Sequence, residues 1–295
     1  MGAADIVPGV SGGTIALLFG IYRRLVATVR AGSSALGGAV RLDKPAVLHW
    51  IGEIEWRFIL PLLAGILLAL LLLAGLLDAL LTDYPIQMAA VFLGLIAGSI
   101  AVVWRLPGRW DPQRVAILVV TAIIVFIALG LREGTSEDTV SQVADPALVA
   151  FFLSGAVAIC AMILPGISGS FILVLLGMYT AVLDALTNRD VGVLAIFALG
   201  AGLGLALFSQ LLHWALSRHF RTVMAVLIGL MAGSTRVLWP WPDGLDSSAL
   251  GSPDGAVVAA ILLAIGAAAV VVLLSAAAEK FGGASPSEEA EEAQA

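Results

Sequence analysis

Six stretches of the chain are apolar over the length that a membrane-spanning helix needs. Such a helix requires about 20 predominantly apolar residues to cross the hydrocarbon core. Polar segments separate the stretches and predict connectors, among them 23–57, 105–114, 132–146, 184–190, 217–222 and 239–254. The predicted spanning helices cover 58–81, 87–104, 115–131, 191–216, 223–238 and 255–277.

Two further apolar stretches are interrupted by proline, glycine and serine. Stretch 1–22 is broken at 8–13, where the sequence reads PGVSGG, and stretch 147–186 is broken at 165–170, which reads PGISGS. Proline removes a backbone donor and glycine permits tight turns, so each break predicts a short piece of non-helical backbone inside an apolar segment.

Composition excludes a soluble protein and predicts an all-α polytopic membrane protein in contact with the lipid bilayer. Apolar residues make up 60% of the chain and charged residues 12%, with a mean hydropathy of +1.05. So few charges cannot cover a soluble surface. The net charge of −6 comes mainly from 279–295, which carries five acids and one lysine and is predicted to be a disordered acidic tail. No basic tract indicates a nucleic-acid partner, and the single cysteine, Cys160, excludes a multi-cysteine metal site.

The chain contains an internal duplication. At a shift of 157 residues, 6–22 and 163–179 are identical at nine of seventeen positions. At a shift of 135 residues, 88–107 and 223–242 are identical at ten of twenty. The two membrane repeats are therefore 1–131 and 147–278. Because 147–157 has no counterpart before Met1, the first arm of repeat one is expected to be missing; either this repeat is truncated or translation begins upstream.

The basic residues predict the orientation of the repeats. Twelve of the fifteen lie in 23–57, 105–114, 217–222 or at Lys280, which places these segments and the C-terminus in the cytoplasm. Both ends of 147–183 then lie outside, so this segment is expected to be a re-entrant hairpin that turns at Pro165 and Gly166. Pro8 and Gly9 are the matching tip of the first hairpin. Each repeat thus holds one hairpin and three crossings, which makes the repeats inverted. Two ordinary kinked helices in parallel repeats are the alternative.

The two breaks predict a binding site for an anion. Backbone amides at the start of a half-helix, without large side chains, attract negative charge, and transporters with inverted repeats bind substrate where such ends meet. The alternative is that the small residues only allow close helix packing. The candidate substrate-binding residues are Ser11, Gly12, Gly13, Thr14, Ser168, Gly169, Ser170 and Arg236.

Two charged residues near membrane depth add to this site. Arg236 follows the sequence Gly233-Ser234-Thr235 and can hold an anionic headgroup, or it can extend to the outer interface. Asp5 lies three residues before the first tip proline and indicates coupling to protons or sodium, or a hydrogen-bonded structural acid. We expect no cofactor, no metal and no catalytic residue.

The paired segments resemble the signatures of the PopT-type polyprenyl-phosphate (undecaprenyl-phosphate) transporter family. The matching sequences are 5–14, 20–22, 164–170, 177–179 and 233–241, and the resemblance spans about 1–278. It implies a bacterial plasma-membrane transporter that recycles undecaprenyl phosphate for peptidoglycan and other envelope glycans. The motif residues carried over by position are Asp5, Pro8, Gly9, Ser11, Gly12, Pro165, Gly166, Ser168, Gly169 and Arg236.

Two other functions are compatible with these residues. Undecaprenyl-pyrophosphate phosphatases also have inverted repeats and a Pro-Gly-x-Ser segment, but that pattern has an arginine after the serine and paired glutamates on a helix. Gly12 and Gly169 stand after the serines here, and no such glutamate pair occurs in an apolar segment. Transport is therefore favoured over hydrolysis. A transporter of a small soluble anion is the second alternative.

Overall fold

The computed structural model describes residues 1–2, 11–130, 143, 146–167, 169–242, 244, 250–253 and 255–280. The predicted acid Asp5, the first tip at Pro8 and Gly9, and the motif residue Ser168 lie outside the described residues. So does most of the predicted tail, from 281 onward.

Within these residues every regular element is a helix, which confirms the all-α class. Eleven α-helices are described: α1 Gly12–Leu18, α2 Tyr22–Val40, α3 Lys44–Glu53, α4 Trp56–Asp83, α5 Pro85–Val103, α6 Pro112–Gly130, α7 Leu148–Ile163, α8 Gly169–Leu175, α9 Tyr179–Thr187, α10 Val191–Ser234 and α11 Val257–Lys280. A 3-10 helix, Thr235–Leu238, continues α10.

Five of the described helices are long and apolar enough to cross a membrane. They are α4, α5, α6, α10 with its 3-10 extension, and α11, and they correspond to the six predicted spans, two of which fall on α10. Most of α4 faces away from the rest of the protein; Leu71, for example, is 82% exposed. Apolar side chains in that position are stable only in lipid, so the chain is a multi-pass membrane protein.

The predicted connector 217–222 is not a loop, which corrects the sequence prediction. The chain stays helical there and bends at His219 (φ −134°, ψ 39°). At about 1.5 Å per residue, α10 with its extension would be far longer than the hydrocarbon core of about 30 Å, so the bend divides it into two spans. Tyr84, which separates α4 from α5, has nearly the same backbone angles (φ −136°, ψ 54°). It precedes His219 by the repeat shift of 135, so both repeats turn at one equivalent residue.

The predicted polar connector 23–57 also differs from expectation, because most of it is helical. It forms α2 and α3, and Asp43 caps the start of α3 by accepting a hydrogen bond from the Ala46 amide at 3.1 Å. Arg24 forms an ion pair with Glu55 and lies over the Phe58 ring, which joins α2 to the start of α4. The polar residues that indicated a loop instead belong to two helices, where some are exposed and others are partly or fully buried.

Glycines bring helices of the two repeats into backbone contact in a reciprocal way. Gly94 and Gly98 of α5 lie against Ala264 and Ala268 of α11. At the equivalent positions of repeat two, Gly229 and Gly233 of α10 lie against Leu118 and Ala122 of α6, respectively. In each pair of helices the contacting residue numbers rise together, so the two helices run in the same direction. Such reciprocity is the property of a pseudo-twofold arrangement.

The first half of α10 packs in the same way against α7. Gly200 lies against Phe152 and Gly204 against Ala156, with Gly155 against Phe197 on the other helix. The residue numbers again rise together, so α7 and this half of α10 are parallel. The start of α7 is therefore level with the second turn of α10.

The short helix α1 lies in the centre of the protein. Its Ala16 and Leu17 are 0% and 4% exposed and belong to the largest hydrophobic cluster. That cluster includes Ile96 of α5 and Met224 of α10, both fully buried. The residues at the start of α1 are thereby held at a fixed depth between helices of both repeats.

Candidate functional site

The first motif forms the capped start of α1. Ser11 is the N-cap residue, with extended backbone (φ −129°, ψ 154°), and its hydroxyl accepts a hydrogen bond from the Thr14 amide at 3.4 Å. Serine is among the preferred residues at this position because its side chain satisfies an amide that the helix leaves unpaired. Gly12, Gly13 and Thr14 follow in the first turn, and all three are buried.

The second motif forms a sharp turn after α7. Leu164 ends α7 with extended backbone (φ −75°, ψ 131°), as expected for a residue that precedes proline. Gly166 has φ +86°, a conformation that glycine adopts without strain. A side chain there would also contact Met231 and the Ser234 hydroxyl of α10. The turn at Pro165 and Gly166 thus requires glycine for both backbone and packing reasons.

The structure brings these two segments into direct contact. The Ser11 hydroxyl donates to the Leu164 carbonyl at 3.1 Å. The Gly166 amide donates to the Ser11 hydroxyl at 3.2 Å and to the Thr14 hydroxyl at 3.1 Å. These bonds join residues that are more than 150 positions apart in the chain and belong to different repeats.

Two more residues of the first repeat hold the end of α7. Gly13 lies against the Ile163 carbonyl, where a larger residue would not fit. The Tyr22 hydroxyl, 1% exposed as a residue, donates to the same Ile163 carbonyl at 3.1 Å. Tyr22 was not among the predicted site residues. Its duplication as Tyr179 at the repeat shift was the signal that could have identified it.

The Ser11 hydroxyl has no hydrogen-bonding capacity left in this arrangement. A serine hydroxyl donates once and accepts at two lone pairs. Here it donates to Leu164 and accepts from Thr14 and Gly166. Ser11 therefore acts as a clamp between the two segments, and the Gly166 amide is satisfied by protein side chains.

The start of α8 packs differently from the start of α1. Gly169 lies against the Met162 side chain and the Ala158 carbonyl of α7, within its own repeat. The two helices nevertheless begin and end at equivalent residues. The helices α1 and α8 are related by 157 positions at both ends, and the turns that follow use Gly20 (φ +66°) and Gly177 (φ +67°).

Arg236 lies beside the C-terminal end of α6. Its guanidinium carbon is 4.9 Å from the centre of the Phe126 ring, and the group also contacts Gly130. The Nε atom is buried and has no hydrogen-bond partner among the described residues. A cation is stabilised at a helix C-terminus, yet a buried donor without a partner is costly. The position can therefore receive a further acceptor.

Ser234 connects the Arg236 region to the tip of the second motif. Its side chain is next to Gly166, and its hydroxyl donates to the Met231 carbonyl at 2.9 Å. Sequence reasoning did not select Ser234, although it is duplicated as Ser99, whose hydroxyl donates to the Leu95 carbonyl. Of the predicted site residues, the structure brings together Ser11, Gly13, Thr14, Pro165 and Gly166. Arg236 lies two residues after Ser234, in the 3-10 helix that continues α10.

The described residues contain no group of three or more His, Cys, Asp or Glu side chains that could hold a metal ion. Among its described residues, the site offers backbone amides, hydroxyls and one guanidinium. Such groups can bind an anion.

Fold and site together define a multi-pass helical membrane protein in which the start of α1 contacts the turn at Pro165 and Gly166. Residues 1–252 match the undecaprenyl phosphate translocase-like family, and the chain belongs to that family. This confirms the resemblance stated above.

Two named relatives are similar over most of their length. The polyprenyl-phosphate transporter of Vibrio cholerae is 39% identical over 246 residues, which cover 83% of this chain and 76% of the relative. The polyprenyl-phosphate transporter of Staphylococcus aureus is 30% identical over 250 residues, covering 81% and 83%. The family description and these names are those of transporters, which confirms the prediction that the chain is not an enzyme. No solved structure is significantly similar to it.

Proposed function

We propose that this protein carries polyprenyl phosphate, in the form of undecaprenyl phosphate, across the bacterial plasma membrane and so returns the carrier lipid for synthesis of peptidoglycan and other envelope glycans. The names of its relatives support this substrate. The observation that carries the site is the contact between the two motifs, where Ser11 and Thr14 bind the Gly166 amide.

The phosphate binds where the two segments meet. Amides in the first turns of α1 and α8 are the main donors, from the predicted residues Ser11, Gly12, Gly13, Thr14, Ser168, Gly169 and Ser170. Arg236 supplies the positive charge, and its buried Nε, which has no hydrogen-bond partner among the described residues, supports that role. A phosphate in this position recovers in charge-assisted hydrogen bonds part of the cost of leaving water.

Transport proceeds by alternating access around this junction. The hydrogen bonds from Gly166 to Ser11 and Thr14 close the junction, and a phosphate oxygen can replace the two hydroxyls as acceptor. Separation of the segments on one side then exposes the headgroup to that side only. A protein that lowers the cost of moving one charged headgroup needs no other chemistry.

The direction of helix contacts supports inverted repeats. A connector of only eight residues, 104–111, joins α5 to α6, so these neighbours run in opposite directions. The third helix of repeat two, α11, runs with α5 and hence opposite to its own counterpart α6. In parallel repeats, α11 would run in the opposite direction to α5. This argument does not use the distribution of charges.

The parallel packing of α7 and α10 supports a re-entrant second hairpin. A chain that leaves the start of α7 and returns to the same level in the second turn of α10 enters and leaves on one side. With the basic residues in the cytoplasm, that side is external and the C-terminus is cytoplasmic. Single cysteines at Leu148 and Asn188, with Cys160 replaced, should both react with an impermeant reagent from outside, and Ser217→Cys should not. Labelling of Leu148 and Asn188 from opposite sides would contradict the hairpin.

The transport step can be coupled to an ion. Asp5, three residues before the first tip, is the residue proposed to bind a proton or sodium. Collapse of a pH or sodium gradient should then slow net accumulation of the lipid in one leaflet.

The test is translocation of labelled undecaprenyl phosphate in liposomes that contain only this protein. The expected result is movement of the lipid at a rate that depends on the protein, without release of inorganic phosphate from undecaprenyl pyrophosphate. An excess of inorganic phosphate should compete weakly. Strong uptake of inorganic phosphate with no lipid movement would favour the transporter of a small soluble anion instead.

A further inference from the structure

We infer that a groove beside the second motif binds the first isoprene units of the substrate's tail, an inference that rests on the proposed function. The groove has a volume of about 300 Å³ and lies among α7, α8, α9 and α10. Its residues include Gly155, Ala158, Met162, Ser170, Val182 and Ala201.

Small residues of two helices line the groove. They are Gly155 and Ala158 on α7, both buried, and Ala201 on α10. Protein interiors are normally filled to the density of organic crystals, and an empty apolar space forfeits contacts. A cavity of this size that is retained between packed helices therefore fits a ligand.

The chemistry of the lining selects an apolar chain with one polar end. Among the described residues that line the groove, Ser170 carries the only polar side chain. It stands in the first turn of α8, next to Gly169, which also lines the groove. Met162 (44% exposed) and Ser170 are exposed at the rim, so the groove opens toward lipid.

Position and size together assign the part of the tail that is bound. The groove adjoins the amides proposed to hold the phosphate, so the units nearest the phosphate occupy it. Its volume is at the lower limit of small-molecule pockets, about 300 Å³. The remainder of a long prenyl chain therefore stays in the bilayer. A segment held in this way would allow the protein to distinguish polyprenyl phosphate from other phosphate lipids.

The test uses the intact protein in liposomes and a polyprenyl phosphate with a diazirine in the units next to the phosphate. Irradiation should label peptides that contain Met162, Val182 or Ala201. Unlabelled polyprenyl phosphate should abolish the labelling, whereas the same excess of phosphatidylglycerol should not. Labelling confined to other helices, or equal competition by phosphatidylglycerol, would overturn the inference.

A pair of variants gives the matching functional measurement. Ala201→Phe fills the groove and should reduce lipid translocation by about tenfold or more. Gly202→Phe adds the same ring one residue later, where no atom lies within 4 Å, and should stay near the parental rate. If the parent transports and Ala201→Phe transports equally well, the groove assignment fails and the proposed function stands. If the parent does not move the lipid, the proposed function itself fails.

Discussion

The short helices that follow the two copies of the motif have equivalent bounds and different contacts. Helices α1 and α8 begin and end at equivalent residues, and the following turns have the same glycine conformation. In the first copy, the hydroxyls of Ser11 and Thr14 reach across to the other repeat. In the second copy, position 171 is phenylalanine in place of Thr14, and Gly169 packs on its own arm. Duplication thus provides a symmetric frame, and substitution gives one copy the role of clamp.

The largest effect is expected at the turn that the clamp holds. Gly166→Ala places a side chain in the left-handed region and against Met231, so it should destabilise the protein by about 3 kcal/mol. Gly169→Ala meets mainly the flexible Met162 side chain and should cost about 1 kcal/mol. Thermal unfolding in detergent measures both. Equal decreases in unfolding temperature for Gly166→Ala and Gly169→Ala would contradict the proposed difference between the two copies.

Arg236 has no basic counterpart in the first repeat, where the equivalent residue is Ala101. Arg236→Ala should weaken polyprenyl-phosphate binding by about 1.5–3 kcal/mol if the guanidinium binds the phosphate. Arg236→Lys should recover only part of this if the contact is bidentate. Equilibrium binding in nanodiscs is the measurement, with the exposed Arg189→Ala as the matched control. Unchanged affinity in Arg236→Ala would mean that Arg236 only packs against α6 and does not bind the phosphate.

A smaller effect separates the two hydroxyls of the clamp. Ser11→Ala removes three hydrogen bonds and should cost about 2 kcal/mol, and Thr14→Val, which removes one acceptor of a shared bond, about 1 kcal/mol. Their effects should not add, because both bind the Gly166 amide. Ser217→Ala, at an exposed hydroxyl that donates only to the His213 carbonyl, is the control. If the two substitutions lower stability equally and their effects add in the double variant, Ser11 and Thr14 do not share the Gly166 amide.

The spanning helices were predictable because uninterrupted apolar runs of sufficient length leave few alternatives in a membrane. The helices of 23–57 were not, because their Arg, Ser and Gly residues have the composition of a loop. The bend at 217–222 was misread as a loop because a single residue, His219, makes the turn and carries no glycine or proline signal.

The site was predictable only as far as duplication revealed it. The paired Pro-Gly segments identified Gly166 and the start of α1. That Ser11 and Thr14 bind the Gly166 amide depends on the approach of two repeats, which no local pattern encodes. Ser234 and Tyr22 were missed for the same reason, although each has an identical residue at its repeat-equivalent position.

The central claim is that both motif copies form one substrate site, and lipid translocation in liposomes tests it most directly. Gly12→Leu in the first copy and Gly169→Leu in the second should each abolish movement of labelled undecaprenyl phosphate, because a large side chain blocks approach of the headgroup to the amides. Gly202→Leu, in open space on α10, should move the lipid at the parental rate. If either motif variant is folded and moves the lipid as fast as the parent, the phosphate does not bind at the junction of the two segments.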